Sequence, residues 1–200
     1  LLFSGETVNF SGEKLSLGPA QLNYGGKEID IFLAGRGPKI LELGAQKADG
    51  FYLSYIYKKH LPDVIAKLRS ENRSDSKRFN IVYSTMLVTE DKELEDAKAQ
   101  LSFRLVDSPL NIKEEIGMTQ EDEVKIKDAL KEGGPKLAGK FVKEEWVEDF
   151  TLTGNLESCR EELFRFFEAG IDEYQLPVYE LESAEKDIER VSSFSNGELH

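Results

Sequence analysis

Gly35-Arg36-Gly37-Pro38 is the stretch of this 200-residue sequence whose residue types and spacing best suit chemistry. Ile31 to Ala34, just before it, is a short apolar run of the kind a buried parallel strand carries. Pro38 stands where a first helical turn tolerates a residue without an N–H. Ile40, Leu41, Leu43 and Gly44 give the following segment one apolar helical face. A Gly-rich turn that opens a helix leaves backbone N–H groups unpaired, and those donors suit a phosphate. The competing reading is that the two glycines only make a tight turn between strand and helix, because a lone Gly-x-Gly is a weak signal.

The elements that must position this turn alternate along the chain. Val8 to Leu17 reads as a hairpin around Ser11-Gly12, and Ile29 to Ala34 as a strand. Pro38 to Lys47 reads as a helix, and Phe51 to Ile56 as an aromatic-rich strand. Leu61, Val64, Ile65 and Leu68 recur at helical spacing within Leu61 to Glu71. Asn80 to Val88 is rich in β-branched residues and reads as a strand. A helix from Asp91 to Val106, capped by Thr89 or Asp91, follows. Further helical pieces are expected over Thr119 to Leu130 and Pro135 to Glu144. Leu156, Cys159, Leu163, Phe166 and Phe167 share one face of a helix from Asn155 to Ala169, which Gly170 ends. Glu173 to Val178 is the last expected strand, and Ala184 to Ser193 the last helix. Four strands alternating with helices predict a parallel sheet with helices outside it.

The string AGRGPKILELGAQKADGF (Ala34 to Phe51) resembles a segment from the middle of the barrel in luciferase-like flavin and deazaflavin enzymes. The matching residues are Ala34, Gly35, Gly37, Pro38, Lys39, Leu41, Leu43, Ala48, Asp49 and Gly50, whereas Gly44-Ala45 stands where Ala-Gly is usual. Gly5 to Leu17 resembles the small hairpin before that strand. Gly154 to Val178 resembles the late helix and last strand, with Asn155-Leu156 replacing part of the usual signature. The stretch between Lys92 and Glu148 resembles the methylenetetrahydromethanopterin reductase branch. The resemblance implies a TIM (β/α)8 barrel, represented here by its last four βα units with a helical insertion over 92–150 and a hairpin segment over 1–28. Residues 1–200 are expected to form a single domain. A whole barrel needs about 250 residues, and this chain starts at Leu1 inside the family pattern, so an upstream half is expected.

The function implied by this resemblance is a flavin- or deazaflavin-dependent oxidoreductase. Coenzyme F-420-dependent hydride transfer to or from a small organic substrate is favoured by the branch likeness. An FMN-dependent luciferase-like monooxygenase is one alternative, and a non-catalytic half barrel that associates with a partner chain is another. The resemblance implies that Ala34, Gly35, Arg36 and Gly37 bind the cofactor phosphate, mainly through backbone N–H groups, with Arg36 placed to add charge. The other strand ends offer Ser54 and Tyr55, then Ser84, Thr85 and Met86, then Gln175 and Tyr179; for these, core packing is the favoured reading. Residues that grip the ring or protonate the substrate belong, by the resemblance, to the first four strands, so no catalytic residue is identified. Family members are often dimers, and a homo-oligomer is expected.

Composition narrows the remaining classes. The net charge of −12 and a pI near 4.8 argue against nucleic acid or an anionic membrane as a partner. No apolar run approaches the roughly 18 residues of a membrane span. LLFSGETVNF lacks the basic leader and apolar core of a signal peptide. The single cysteine, Cys159, allows no internal disulfide and points to a cytoplasmic setting. It falls on an apolar helix face and is expected in the core. His60 precedes a helix and is expected to cap it or meet solvent, and His200 is terminal, so no metal site is expected. Trp146 is expected to pack the insertion onto the barrel.

Overall fold

The computed structural model describes residues 1–24, 29–72, 79–178 and 183–195. Tyr179, His200 and most of the polar loop before Phe79 lie outside the described residues. Two strands, β1 (Val8–Ser11) and β2 (Ser16–Ala20), form the expected antiparallel hairpin. Its turn closes with the Gly12 N–H donating to the Leu15 carbonyl at 2.8 Å.

The sheet that follows is parallel throughout. Its strands are β3 (Phe32–Ala34), β4 (Gly50–Ser54), β5 (Asn80–Ser84) and β8 (Glu173–Gln175), in the order β3-β4-β5-β8. Helices α1 (Pro38–Lys47) and α2 (Leu61–Glu71) make the first crossovers, and α7 (Leu156–Ala169) leads into β8. Leu33, Phe51, Leu53, Ile81, Tyr83 and Tyr174 alternate onto the helix-covered face. There they meet Leu41, Leu61, Ile65, Leu68, Leu163 and Phe166. Cys159 is fully buried in this core, as expected. The opposite face carries Ala34, Tyr52, Ser54, Val82, Ser84 and Gln175, and β3 and β8 are open edges. Four strands with open edges are part of a barrel, not a closed one.

A second core belongs to the insertion. Strands β6 (Leu87–Val88) and β7 (Leu152–Thr153) pair in parallel at its base. Between them lie α3 (Asp91–Val106), α4 (Leu110–Glu115), α5 (Gln120–Gly139) and α6 (Glu144–Phe150). Trp146 is fully buried here, and its indole N–H donates to the Ile116 carbonyl at 2.9 Å. Tyr55, Tyr57, Met86 and Val88 join the same cluster, so the insertion does pack onto the strand ends through this core. The last helix is α8 (Ala184–Ser195), where Arg190 pairs with Glu93 of α3.

Several expected boundaries moved, each for a local reason. The strand expected over Asn80 to Val88 breaks after Ser84, and Leu87–Val88 turns away to pair with β7. Thr85 holds the break: its hydroxyl donates to the Phe150 carbonyl at 2.6 Å, and its own carbonyl accepts from Tyr174 Oη at 2.8 Å. The expected last strand ends early, at Gln175. The two helical pieces expected after Thr119 are both present within α5, parted at Gly134, whose non-helical φ of 72° precedes Pro135; the second ends at Gly139 and not at Glu144. Helix α4 was not expected. Glu90, rather than Thr89 or Asp91, caps α3 in a reciprocal arrangement with Glu93. Leu43, expected on the apolar face of α1, points outward, because about 100° per residue puts it opposite Leu41; Ala45 is buried instead.

One device recurs at the N-terminal ends of the strands. Asp49 accepts the Ile31 N–H at 2.8 Å on its carboxylate and returns its own N–H to the Ile31 carbonyl at 2.9 Å. Asp172 does the same with Ile81, at 2.7 and 2.9 Å. The Asp172 carboxylate also meets the Arg69 guanidinium, which donates to the carbonyls of Phe79 and Gly170, both at 2.6 Å. Next to Asp49, Gly50 has no room for a Cβ: it would meet the Asn80 carbonyl at 2.5 Å and the Phe32 ring.

Asp172→Ala strands a backbone N–H and a partly buried guanidinium, so it should cost about 2–3 kcal/mol in urea unfolding. Asp49→Ala, at a more exposed site, should cost about 1 kcal/mol. Equal small losses would mean the pairs do not hold the register. Burial, helped by the Glu162 charge, pushes the Cys159 thiol up to about 11. A thiol reagent at pH 8 should therefore label Cys159 only at the rate of local or global opening. Immediate labelling of the native protein would contradict this burial.

Candidate cofactor cleft at the strand ends

A cleft of about 720 Å³ opens at the C-terminal ends of β3 and β4. That volume suits a small molecule or cofactor. Three pieces of chain wall it: the Gly35–Pro38 loop, the segment from Tyr55 to His60, and the stretch of the insertion from Arg104 to Ile112. The floor is therefore barrel and one wall is insertion.

The two glycines of the loop differ. A Cβ on Gly35 would meet the Ile40 side chain at 2.6 Å, so Gly35 is required by packing inside the protein. A Cβ on Gly37 would meet nothing within 4 Å, and its φ of −77° is open to any residue. Nothing in the protein itself demands a glycine at 37. What its bare Cα leaves is open space in the cleft at the start of α1. Among the described residues no side chain caps α1, and Pro38 sits in its first turn. First-turn N–H groups thus face an uncapped end that suits an anion. The two glycines therefore differ in kind: Gly35 serves the packing of the loop, and Gly37 leaves open space beside the start of α1.

Arg36 lies between them with its side chain 20% exposed, and donates to Asp107 at 2.9 Å. Burial pulls the Arg36 guanidinium below its ordinary range, and the nearby positive charge of Arg104 adds to this; Asp107 partly offsets both. Ala34, the last residue of β3, stands behind the loop and does not line the cleft.

Tyr55 follows β4 directly with φ at +48°, a conformation that costs a non-glycine residue energy and that concentrates at functional strand ends. Its N–H donates to the Ser84 carbonyl at 3.1 Å, and Arg104 sits over its ring at 5.9 Å. Tyr57 and His60 meet edge to face, with centroids 5.0 Å apart. His60 holds the N-cap position of α2, as expected, but its side chain makes no cap hydrogen bond there. Its Nε2 stands 3.0 Å from a Glu115 carboxylate oxygen, which ties the barrel side of the cleft to α4. Burial, with the charges of Asp149 and Glu115, raises the Tyr57 hydroxyl above its usual range, so it remains a neutral donor.

The strand-end residues read as core packing divide. Ser84, Thr85 and Met86 are buried, Ser54 accepts from Arg104 at 3.3 Å, and Tyr55 lines the cleft. Sequence reasoning missed Arg104, Asp107, Tyr57 and His60 as cleft residues. Arg104 is legible only as the one arginine of α3, and nothing local says that this helix end returns to a loop some seventy positions earlier. Among the described residues, no group of three or more His, Cys, Asp or Glu is placed to hold a metal ion. Among them, too, no helix is long and apolar enough to cross a membrane. The donors present fit an anionic cofactor with an aromatic part: an uncapped helix start, two guanidiniums and a tyrosine-lined wall.

The family described as luciferase-like monooxygenase matches residues 1–173. The chain is 23% identical over 180 residues to a 5,10-methylenetetrahydromethanopterin reductase of Archaeoglobus fulgidus, a match covering 85% of this chain and 54% of that protein. The corresponding enzyme of Methanopyrus kandleri is 22% identical over 176 residues, covering 84% of this chain and 50% of that one. Among solved structures, the coenzyme F420 dependent tetrahydromethanopterin reductase from Methanopyrus kandleri superposes with a TM-score of 0.73 at 21% identity, over 95% of this chain and 57% of that one. An F420-dependent secondary alcohol dehydrogenase, solved with an F420–acetone adduct, gives 0.60 at 18% identity, over 88% and 51%. These structures share the luciferase-like barrel fold, and the chain spans about half the length of the relatives it matches. A parallel βα half barrel with a phosphate-suited loop at its strand ends, matched over residues 1–173, places this chain in the luciferase-like monooxygenase family.

Proposed function

We propose that this chain forms the phosphate-binding half of a coenzyme F-420-dependent oxidoreductase that moves a hydride to or from a small organic substrate. The observation that carries the reading is Gly37, whose open Cα faces the cleft at the uncapped start of α1. The F420-dependent relatives support the deazaflavin over FMN, which would use the same phosphate site in a monooxygenase.

In this reading the bound cofactor supplies the hydride chemistry, and the protein supplies placement. Backbone N–H groups at the start of α1 and the Arg36 side chain hold the phosphate. Gly35 lets Ile40 pack beneath the loop, so the loop keeps its shape. The rings of Tyr55 and Tyr57 wall the cleft and keep water from it. The 92–150 insertion forms the far wall within a single domain. Homo-oligomerisation and a cytoplasmic setting are part of the proposal, and the buried cysteine at 159 supports the latter.

Gly35→Asp is a poor test, because it would also push Ile40 out of place. Gly37→Asp separates the two effects. Asp is a favourable N-cap residue, so the fold should be unharmed or slightly more stable. A carboxylate in the phosphate position should nevertheless weaken F-420 binding by about a hundredfold or more, since like-charge contact costs several kcal/mol. The measurement is F-420 titration and thermal melting of the natural polypeptide that carries this sequence. Wild-type affinity in Gly37→Asp would remove the loop from the cofactor site.

A further inference from the structure

We propose that Arg36 and Arg104 form a two-arginine clamp for a phosphate group, and that Asp107 occupies Arg36 as an internal competitor until the phosphate arrives. This deepens the cofactor reading and rests on its placement of a phosphate at the loop.

The two cations come from different parts of the chain. Arg36 belongs to the β3–α1 loop, and Arg104 to the last turn of α3 in the insertion. Both line the same cleft, close enough for the Arg104 charge to disfavour the charged form of Arg36. Two like charges held together in a partly desolvated cleft are unfavourable unless an anion joins them. Among the described residues that line the cleft, Asp107 is the only acid, and it is held loosely. It forms an ion pair with Arg36, and its side chain is 82% exposed. It also sits at the C-cap of α3, where the negative end of the helix disfavours a carboxylate. Arg104 has only the Ser54 hydroxyl at 3.3 Å and the Tyr55 ring as partners, and makes no ion pair among the described residues. A local excess of positive charge therefore persists in a chain whose net charge is −12.

The geometry favours phosphate over carboxylate. A carboxylate has two oxygens, which one guanidinium satisfies. A phosphate carries enough oxygens for both guanidiniums and for the N–H groups at the start of α1. Asp107 imitates half of that ligand. Its departure costs little, because it is already hydrated, while its presence keeps Arg36 partly neutralised when the cleft is empty. The clamp also gives the insertion a direct part in binding, since α3 delivers one of its two jaws.

The test is calorimetric titration of the natural polypeptide with inorganic phosphate and, separately, with coenzyme F-420. Asp107→Asn should tighten both by several-fold, because it removes the competitor at an exposed position. Arg104→Gln should weaken both by about tenfold or more, and Arg104→Lys should recover part of the loss. Melting temperatures of the four proteins check that each is folded. If Asp107→Asn leaves phosphate affinity unchanged or lowers it, or if Arg104→Gln binds like wild type, the clamp is wrong. Absence of phosphate binding in the millimolar range in both wild type and Asp107→Asn overturns it as well. If phosphate shows the expected order but F-420 does not bind, the clamp stands and the cofactor reading falls. If F-420 binds and responds to Gly37→Asp but not to the Asp107 and Arg104 variants, the cofactor reading stands and the clamp falls.

Discussion

The reciprocal hydrogen bonds of Asp49 with Ile31 and of Asp172 with Ile81 set the register on which the remaining structure depends. A parallel strand has no hairpin to fix its alignment with its neighbour, and a one-residue slip would turn every side chain to the opposite face. Each aspartate stands just before its own strand and grips the start of the preceding one. With the N-terminal ends pinned, the other ends follow. Phe51, Leu53, Ile81 and Tyr83 reach the helix layer, and the loop after Ala34 emerges beside Tyr55. The aspartate of Ala48-Asp49-Gly50 thus acts at one end of the sheet, while the cleft opens at the other.

The cleft shows how an acidic protein can gather anion donors locally. Overall charge governs encounter over long distances, but binding is decided within a few ångströms. Here the local donors are a helix start without a cap and two arginines of separate origin. Carboxylates are close at hand, yet they are exposed or shared. Asp107 holds Arg36, while Glu115 holds His60 and stands 3.8 Å from Lys59. These ion pairs link the barrel loops to the insertion on both sides of the cleft. Partly exposed pairs of this kind are weak, so they orient the wall without locking it.

Packing separates the molecule into two cores with different work. The sheet core joins β3, β4, β5 and β8 to α1, α2 and α7. The insertion core is built around Trp146, Phe150, Leu101 and Ile126. They meet through Tyr55, Tyr57, Met86 and Val88, residues at or just beyond strand ends. The insertion is therefore seated on the C-terminal end of the strands and not on the side of the sheet, and that seating makes it a wall of the cleft.

Local sequence alone determined the helices α1, α2, α3 and α7, the parallel order of the strands and the buried place of Cys159. Apolar spacing, Gly and Pro punctuation and alternation of elements act over a few residues and do not depend on distant contacts. The phosphate-suited loop was legible for the same reason, since its glycines, proline and helix start are contiguous. Tertiary structure alone decided which glycine serves the fold and which faces open space, because that depends on where Ile40 packs. It also broke the strand after Ser84, where Thr85 bonds to Phe150, sixty-five positions away. Arg104, Asp107 and His60 became cleft residues only when the insertion folded back over the strand ends. Such encounters depend on the path of the chain between distant positions, and no local pattern of residues records that path.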